Sequence, residues 1–117
     1  MQSLEYFSEV YLHRDPVDMR KSINGLSLLV LEEMSLSFEE KRVFVFVSRC
    51  GKKLKLLYWD KSGFALWYKR LEEERFRWPK NHEDQNILSD GLKLKELLSG
   101  LDVFQKPHQY LRYEHIG

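Results

Sequence analysis

A series of apolar and aromatic segments within residues 43–79 most constrains how this chain can fold. Three to four short segments rich in Val, Phe, Leu, Tyr and Trp are separated there by turns that contain glycine or charged residues. Segments of this composition and spacing are typical of strands joined by tight turns. The series therefore predicts an antiparallel β-meander, and we expect its sheet to form the core.

The side-chain pattern predicts which faces of these strands are covered. Residues 43–47 are apolar at every position, which indicates a strand buried on both faces. The next two segments alternate, since successive strand side chains face opposite sides. Their opposed rows are Leu54, Leu56 and Tyr58 against Lys53, Lys55, Leu57 and Trp59, then Phe64, Leu66 and Tyr68 against Ala65, Trp67 and Lys69. Residues 75–78 predict a fourth strand, which ends at Pro79 because proline cannot donate to a ladder.

Two helices are predicted on either side of the meander. After a first strand at residues 9–13, Asp15 as N-cap and Pro16 at the first helical position predict a helix start. This helix would place Met19, Ile23, Leu26 and Val30 in one stripe against the sheet. Residues 81–86 read as a polar loop. Ser89 is then expected to cap a second helix that ends near Gly100 and buries Leu94, Leu97, Leu98 and Leu101.

The predicted fold class is thus α+β: an antiparallel meander of about four to five strands packed with an N-terminal and a C-terminal helix. The chain has 117 residues, enough for one domain, which we assign to residues 1–101. Residues 102–117 form a tail without clear periodicity that either packs as an arm or stays mobile.

Composition excludes several classes of protein. No segment approaches the roughly 18 to 20 apolar residues of a membrane helix, and the N-terminus has no apolar signal segment, so we expect a cytoplasmic protein without membrane contact. The one cysteine, Cys50, cannot form an internal disulfide, and the four histidines lie far apart. We therefore expect neither a metal site nor a cofactor, and the sequence leaves the oligomeric state open.

Charge is segregated along the chain. Residues 41–80 carry twelve Lys and Arg against four acids, a net charge of +8, whereas the remainder carries seven against fourteen, or −7. A basic, aromatic sheet is typical of nucleic-acid binding, although a solvated sheet face has the same composition. The candidate DNA-binding residues are Arg49, Lys52, Lys53, Lys55, Lys69, Arg70, Arg75 and Arg77. DNA binding predicts that Lys53, Lys55, Lys69, Arg75 and Arg77 converge on one exposed side.

No motif in the sequence indicates catalysis. We find no phosphate-binding glycine loop, nucleophile elbow or paired acids with an evident role, so no catalytic residues are assigned. Asp18 is explained as a helix cap, Arg20 as a surface or ion-paired group, and Asp60 as a turn former. A small nuclease that uses Asp18 or Asp60 with a divalent metal is a minor alternative.

Three ordered segments resemble a known family. They are residues 16–26 (PVDMRKSINGL), residues 54–60 (LKLLYWD), and residues 63–71 (GFALWYKRL) with residues 75–79 (RFRWP). Together they are similar to the Orf2-like accessory proteins encoded beside the transposase in a family of multi-frame bacterial insertion sequences. The family-motif residues on which the resemblance rests are Asp18, Arg20, Lys21, Trp59, Asp60, Trp67 and Trp78. The chain departs from the family pattern at residues 48–51 and at Glu74, where the family commonly has Gly.

The resemblance implies a non-catalytic accessory of DNA transposition, with a separate transposase performing strand cleavage and transfer. The partners it implies are DNA, in particular the element ends, the transposase, and another accessory protein of the same element. Two modes of action stay open. The protein binds DNA through its basic sheet, or it binds the transposase through exposed aromatic surface such as Trp67 or residues 104–113.

Overall fold

The computed structural model describes residues 4–73, 75–76, 78, 86–88 and 91–99. The strands in these ranges are β1 (Glu9–Leu12), β2 (Arg42–Val47), β3 (Lys53–Asp60), β4 (Gly63–Arg70) and β5 (Asn86–Leu88). Helix α1 (Ile23–Leu28) continues as a π-helical turn (Leu29–Glu33), helix α2 (Gly91–Leu98) follows β5, and a 3-10 turn (Leu4–Tyr6) precedes β1. The predicted α+β class is confirmed.

The strands form one mixed sheet in the order β4-β3-β2-β1-β5. Strands β2, β3 and β4 make an antiparallel meander, as predicted. Strand β1 runs parallel to β2, with Glu9 opposite Arg42, and β5 runs antiparallel to β1. The prediction of a purely antiparallel sheet is therefore wrong. The connection through α1 is long enough to return the chain to the same end of the sheet, which parallel pairing requires.

Strand β2 is buried on both faces, as predicted, and divides the interior into two cores. The α2-side core contains Val43, Val45 and Val47 of β2 together with Leu94 and Leu97 of α2. The α1-side core contains Phe44 and Phe46 of β2 with Tyr11, Leu26, Val30, Met34 and Leu57. A helix thus covers each face of the sheet.

The alternation predicted for β3 and β4 is also confirmed. Leu54, Leu56 and Tyr58 lie in the α2-side core, whereas Leu57 lies in the α1-side core. On β4, Ala65 and Trp67 pack against the α2-side core and Leu66 against the other. Because side chains two apart share a face, Lys53, Lys55 and Tyr68 lie on the α1 side of the sheet.

The predicted fourth strand of the meander is wrong for the residues described, since residues 75, 76 and 78 belong to no strand. Phe76 is buried in the α2-side core, and its N–H donates to the carbonyl of Gly51 at 2.7 Å. Trp78 packs against the same core, and its indole N–H donates to the carbonyl of His13 at 3.1 Å. These aromatic residues close a core rather than extend the ladder. Arg77 and Pro79 lie outside the described residues.

The fifth strand forms where the sequence predicts the end of a polar loop. Asn86–Leu88 pair with β1, Val10 lying opposite Leu88. A three-residue strand has too few positions for alternation to identify it. Residues 81–85 and the predicted cap, Ser89, lie outside the described residues.

The N-terminal helix begins later than predicted, at Ile23 rather than after Asp15. The N–H of His13 donates to Val45 and that of Val17 to Val47, both at 2.9 Å, so residues 13–17 continue along β2. Backbone bonds to a neighbouring strand compete here with the local helix signals of Asp15 and Pro16. Leu26 and Val30 are nevertheless buried against the sheet.

Helix α2 buries Leu94, Leu97 and Leu98 as the leucine spacing predicts, while Gly100, Leu101 and the 102–117 tail lie outside the described residues. The helix begins at a close backbone contact, because the N–H of Gly91 donates to the carbonyl of Phe7 at 2.9 Å. Among the described residues, no helix combines the length and apolar character that a bilayer span requires.

Candidate functional site

An open groove of about 770 Å³ lies on the α1 side of the sheet, where three separate parts of the chain meet. It is lined by residues 17–20, by residues 48–50 of the β2–β3 turn, by Lys53 and Lys55 of β3, and by Leu66 and Tyr68 of β4. We call this site the basic groove, because Arg20, Arg49, Lys53 and Lys55 line it and Asp18 is the one carboxylate among its described lining residues.

The first wall of the groove is a turn held together by Asp18 and Arg20. The Asp18 carboxylate accepts the backbone N–H of Arg20 at 2.9 Å and its guanidinium at 2.7 to 3.1 Å. The guanidinium and the backbone N–H of Arg20 lower the pKa of Asp18 to about 2, so the carboxylate is ionised near neutral pH. Asp18 is therefore not a helix cap. The Arg20 side chain is 92% exposed and keeps most of its surface available.

Lys55 fastens this turn to the sheet. Its Nζ atom donates to the carbonyl oxygens of Met19 and Lys21, each at 2.8 Å. Two of the three ammonium hydrogens are thus used within the protein. Lys55 positions the residue 18–21 turn beside β3, and its charge still contributes to the potential of the groove.

Arg49 and Lys53 are the two cations of the groove whose side chains have no hydrogen-bond or ion-pair partner among the described residues. Arg49 is exposed in the β2–β3 turn, and Lys53 is half-buried at the start of β3. Within the described ranges neither side chain donates a hydrogen bond or forms an ion pair. A cation that has no internal partner retains its full capacity to bind an external anion.

Cys50 lies in the same turn with its sulfur 3.2 Å from the Ser48 hydroxyl oxygen. The backbone N–H of Lys53 donates to that oxygen at 3.0 Å, which leaves the hydroxyl hydrogen free to donate to sulfur. The Ser48 hydroxyl, aided by the Lys52 N–H and the Lys53 charge, lowers the pKa of the Cys50 thiol. The turn thus favours anions, of which the thiolate is one.

Tyr68 is the aromatic residue among the described residues that line the groove, and no sequence motif indicates a functional role for it. It lies directly opposite Lys55 in the β3–β4 register, with 47% of its surface exposed. Its ring contacts no other aromatic ring among the described residues. The two-residue hairpin turn fixes the pairing of β3 with β4. That register would have predicted from the sequence that Tyr68 lies beside Lys55.

The other predicted DNA-binding residues that the structure describes do not line the groove, and the expected single basic surface does not form. Lys69 is on the α2 side, where its ammonium donates to the carbonyl of Leu98 at 2.9 Å. Arg70 lies opposite Lys53 on the α1 side, but its guanidinium is paired with Glu72 at 2.9 Å. Arg75 is exposed and flanks Gly51. The side chain of Lys52 does not line the groove, and Arg77 lies outside the described residues.

The tryptophans and Asp60 of the family motif are also away from the groove. Trp67 and Trp78 pack against the α2-side core, and Trp59 contacts the edge of Phe64 with ring centroids 5.1 Å apart. Asp60 ends β3 and accepts the N–H of Ser62 in the hairpin turn. Asp60 therefore lies at the β3–β4 turn, whereas Asp18 lines the basic groove. Lys21 contributes its carbonyl to the Lys55 contact.

Comparison with known proteins identifies the family. The family model described as IS66 Orf2 like protein matches residues 8–108, most of the chain. The chain belongs to the IS66 Orf2-like family. The predicted resemblance is confirmed, and the family gives the chain an accessory role associated with transposition.

Two proteins of Sinorhizobium fredii (strain NBRC 101917 / NGR234) are similar to this chain. The uncharacterized protein y4hO is 34% identical over 108 residues, 92% of each chain. The uncharacterized protein y4jC is 38% identical over 95 residues, 79% of this chain and 80% of that protein. No solved structure gives a significant match.

Proposed function

We propose that this IS66 Orf2-like protein is a non-catalytic accessory of transposition that binds element DNA through the basic groove. The observation that carries the proposal is the meeting of four cations in one groove, Arg20 from one chain segment and Arg49, Lys53 and Lys55 from a second, with a single carboxylate among the described lining residues. Phosphate contacts supply most of the sequence-independent affinity of proteins for DNA. The element ends are the proposed target, and the transposase performs the chemistry.

The cations of the groove divide into two that are proposed to bind phosphate and two whose charged groups already make hydrogen bonds within the protein. Asp18 holds Arg20 in place and offsets part of its charge, and Lys55 is fastened to backbone carbonyls. The side chains of Arg49 and Lys53 form no hydrogen bond or ion pair with the residues that the structure describes, and they are the proposed phosphate ligands. This division moves the proposed contact away from Lys69 and Arg70, whose charged groups are already engaged.

The test compares the full-length protein with the Arg49→Ala/Lys53→Ala double variant. Binding to element-end duplex and to random duplex is measured between about 50 and 200 mM salt. Loss of two phosphate contacts is expected to reduce the slope of log affinity against log salt by about 2. Both duplexes lose affinity together, because phosphates carry no sequence information.

Lys61→Gln is the matched control, because Lys61 is an exposed cation in the turn between β3 and β4 and does not line the groove. It removes one charge, and the salt slope is expected to stay within error of the wild type. Absence of binding at the lowest salt contradicts the proposal. An unchanged slope in the double variant places the contact elsewhere.

A second candidate function is binding of the transposase or another accessory protein without direct DNA contact. Leu28 at the end of α1 and Leu31 in the π-helical turn are 53% and 52% exposed and lie three residues apart, so they are neighbours on the helix surface. Trp67 is less suited to this role than its sequence suggests, because it packs against the α2-side core. Co-purification with the transposase in nuclease-treated samples, lost in Leu28→Gln/Leu31→Gln, would favour this function.

A further inference from the structure

The arrangement around Tyr68 bears on which form of DNA the groove accepts, and the inference rests on the proposed DNA binding. Tyr68 and Phe64 occupy the same row of β4, four residues apart, and both are aromatic and partly exposed. Phe64 is contacted by the rings of Phe38 and Trp59, with centroids 4.8 and 5.1 Å away. Tyr68 has no such cover from the described residues, and its ring faces the groove.

The surroundings of Tyr68 combine an apolar platform with nearby charge. Leu66 precedes it on the same face and also lines the groove, while Lys55 lies across the ladder. Directly opposed strand residues have Cβ atoms roughly 5 Å apart, so the Lys55 stem flanks the ring. Arg49 and Lys53, whose side chains the described residues leave without a hydrogen-bond or ion-pair partner, line the same groove. An aromatic face beside a track of cations is the arrangement that binds an unpaired nucleotide.

Duplex DNA does not use such a face. Its bases are stacked on one another and offer only their edges in the grooves, so a duplex contacts this surface through phosphates alone. An unpaired base exposes its π-face and stacks on an aromatic side chain with little dependence on sequence. We infer that the basic groove binds single-stranded DNA, with one base stacked on Tyr68 and the adjoining phosphates bound by Arg49 and Lys53.

The test measures the affinity of the full-length protein for a labelled oligothymidylate of about 15 nucleotides and for a duplex of the same length. In Tyr68→Ala, the affinity for the single strand is expected to fall about 5- to 150-fold, the range that loss of one base–aromatic stack produces. The affinity for the duplex is expected to stay within about twofold, because its phosphate contacts are unchanged.

Three control variants separate stacking from folding. Tyr68→Phe retains the ring and is expected to bind the single strand as the wild type does. Tyr68→Trp is expected to bind at least as tightly, and its fluorescence should be quenched on binding. Phe64→Ala removes the other exposed ring of the same row, 37% exposed and outside the groove, and is expected to leave single-strand affinity unchanged. Circular dichroism melting establishes that each variant is folded.

The outcomes distinguish this inference from the proposal on which it rests. If the wild type binds neither oligonucleotide at low salt, the proposed DNA binding fails. If it binds duplex, and Tyr68→Ala lowers both affinities equally or lowers neither, DNA binding stands and the single-strand inference is overturned. Tighter binding of oligouridylate than of oligothymidylate overturns the assignment to DNA. Selective loss of oligothymidylate binding in Tyr68→Ala, with rescue by Tyr68→Phe, supports the inference.

Discussion

The reactivity of the Cys50 thiol reports on its hydrogen bond with the Ser48 hydroxyl in the basic groove. The Ser48 hydroxyl is the largest cause of the lowered pKa of Cys50, because its hydrogen bond stabilises the thiolate. Ser48→Ala is expected to raise that pKa toward the ordinary value of 9.0 and to slow alkylation near neutral pH. The iodoacetamide rate, measured against pH, gives the midpoint directly, since Cys50 is the only cysteine of the chain.

Ser62→Ala is the control for this measurement, because Ser62 is exposed in the other hairpin turn. It should leave the midpoint of Cys50 alkylation unchanged. An equal midpoint in the wild type and Ser48→Ala would show that the hydroxyl does not influence the thiolate. The same reagent also reports on the groove: bound DNA should protect Cys50 from alkylation if the groove is the binding site.

At the scale of elements, the sequence predicts structure well where neighbouring residues determine it. The alternation in β3 identifies Leu56 and Leu57 as facing opposite cores, and the apolar β2 segment identifies a strand covered on both sides. Both patterns arise from the two-residue period of a strand. Both can therefore be predicted from the sequence without knowing which helix covers each face.

The two-residue period of the strands, together with the turn length, also predicts which cations can share the face of the basic groove. The turn of two residues between β3 and β4 pairs Lys53 with Arg70 and Leu54 with Lys69. Paired residues share a face, so Lys69 had to lie with Leu54, opposite Lys53. A single surface containing both Lys53 and Lys69 was therefore excluded by a register that the turn length indicates.

Contacts between distant residues account for the elements that the sequence did not predict. Residues 13–21 carry helix-start signals, yet Val47 accepts the N–H of Val17, and Lys55 binds the carbonyls of Met19 and Lys21. Phe76 has a strand-like neighbourhood, yet it fills the α2-side core. In each case the partner is roughly 20 to 40 positions away, and no local pattern encodes it.

Gly91 gives a prediction about how α2 is docked. A Cβ atom at this position would overlap the carbonyl oxygen of Leu4, so the helix start and the 3-10 turn would have to separate. Gly91→Ala is expected to lower the free energy of unfolding by about 1–3 kcal/mol, the usual range for overpacking in a close contact. Urea denaturation followed by circular dichroism measures the loss.

Gly63→Ala is the matched substitution, because nothing lies within 4 Å of the added Cβ and the backbone there is not left-handed. Its expected effect is neutral or stabilising by less than about 1 kcal/mol, through reduced freedom of the unfolded chain. Equal unfolding free energies for the two variants would mean that the backbone at Leu4 and Gly91 moves apart to accept the Cβ atom without loss of stability.

At the scale of the whole molecule, β2 couples the two cores. Its valines belong to the α2-side core and its phenylalanines to the α1-side core, so neither helix layer can separate without exposing one face of the central strand. A domain of this size usually unfolds in one transition when its layers share a strand in this way. We therefore expect the stability of the basic groove on the α1 side to depend on packing on the other side.

The tryptophans allow this coupling to be measured. Trp59 contacts Phe64, which joins the α1-side core through Phe38, whereas Trp67 and Trp78 pack against the α2-side core. Trp67→Phe/Trp78→Phe leaves a probe of the α1 side, and Trp59→Phe leaves probes of the α2 side. In each of these two backgrounds we expect one urea transition, with the same midpoint by fluorescence as by circular dichroism.

Leu97→Ala, a substitution confined to the α2-side core, provides the decisive comparison. Loss of a fully buried leucine is expected to lower the free energy of unfolding by about 2–5 kcal/mol. Because β2 is shared, the transition reported by Trp59 on the opposite side should move to lower urea by the same amount as that reported by Trp67 and Trp78. A Trp59 transition that stays in place would show that the α1 side, with its groove, unfolds independently of α2.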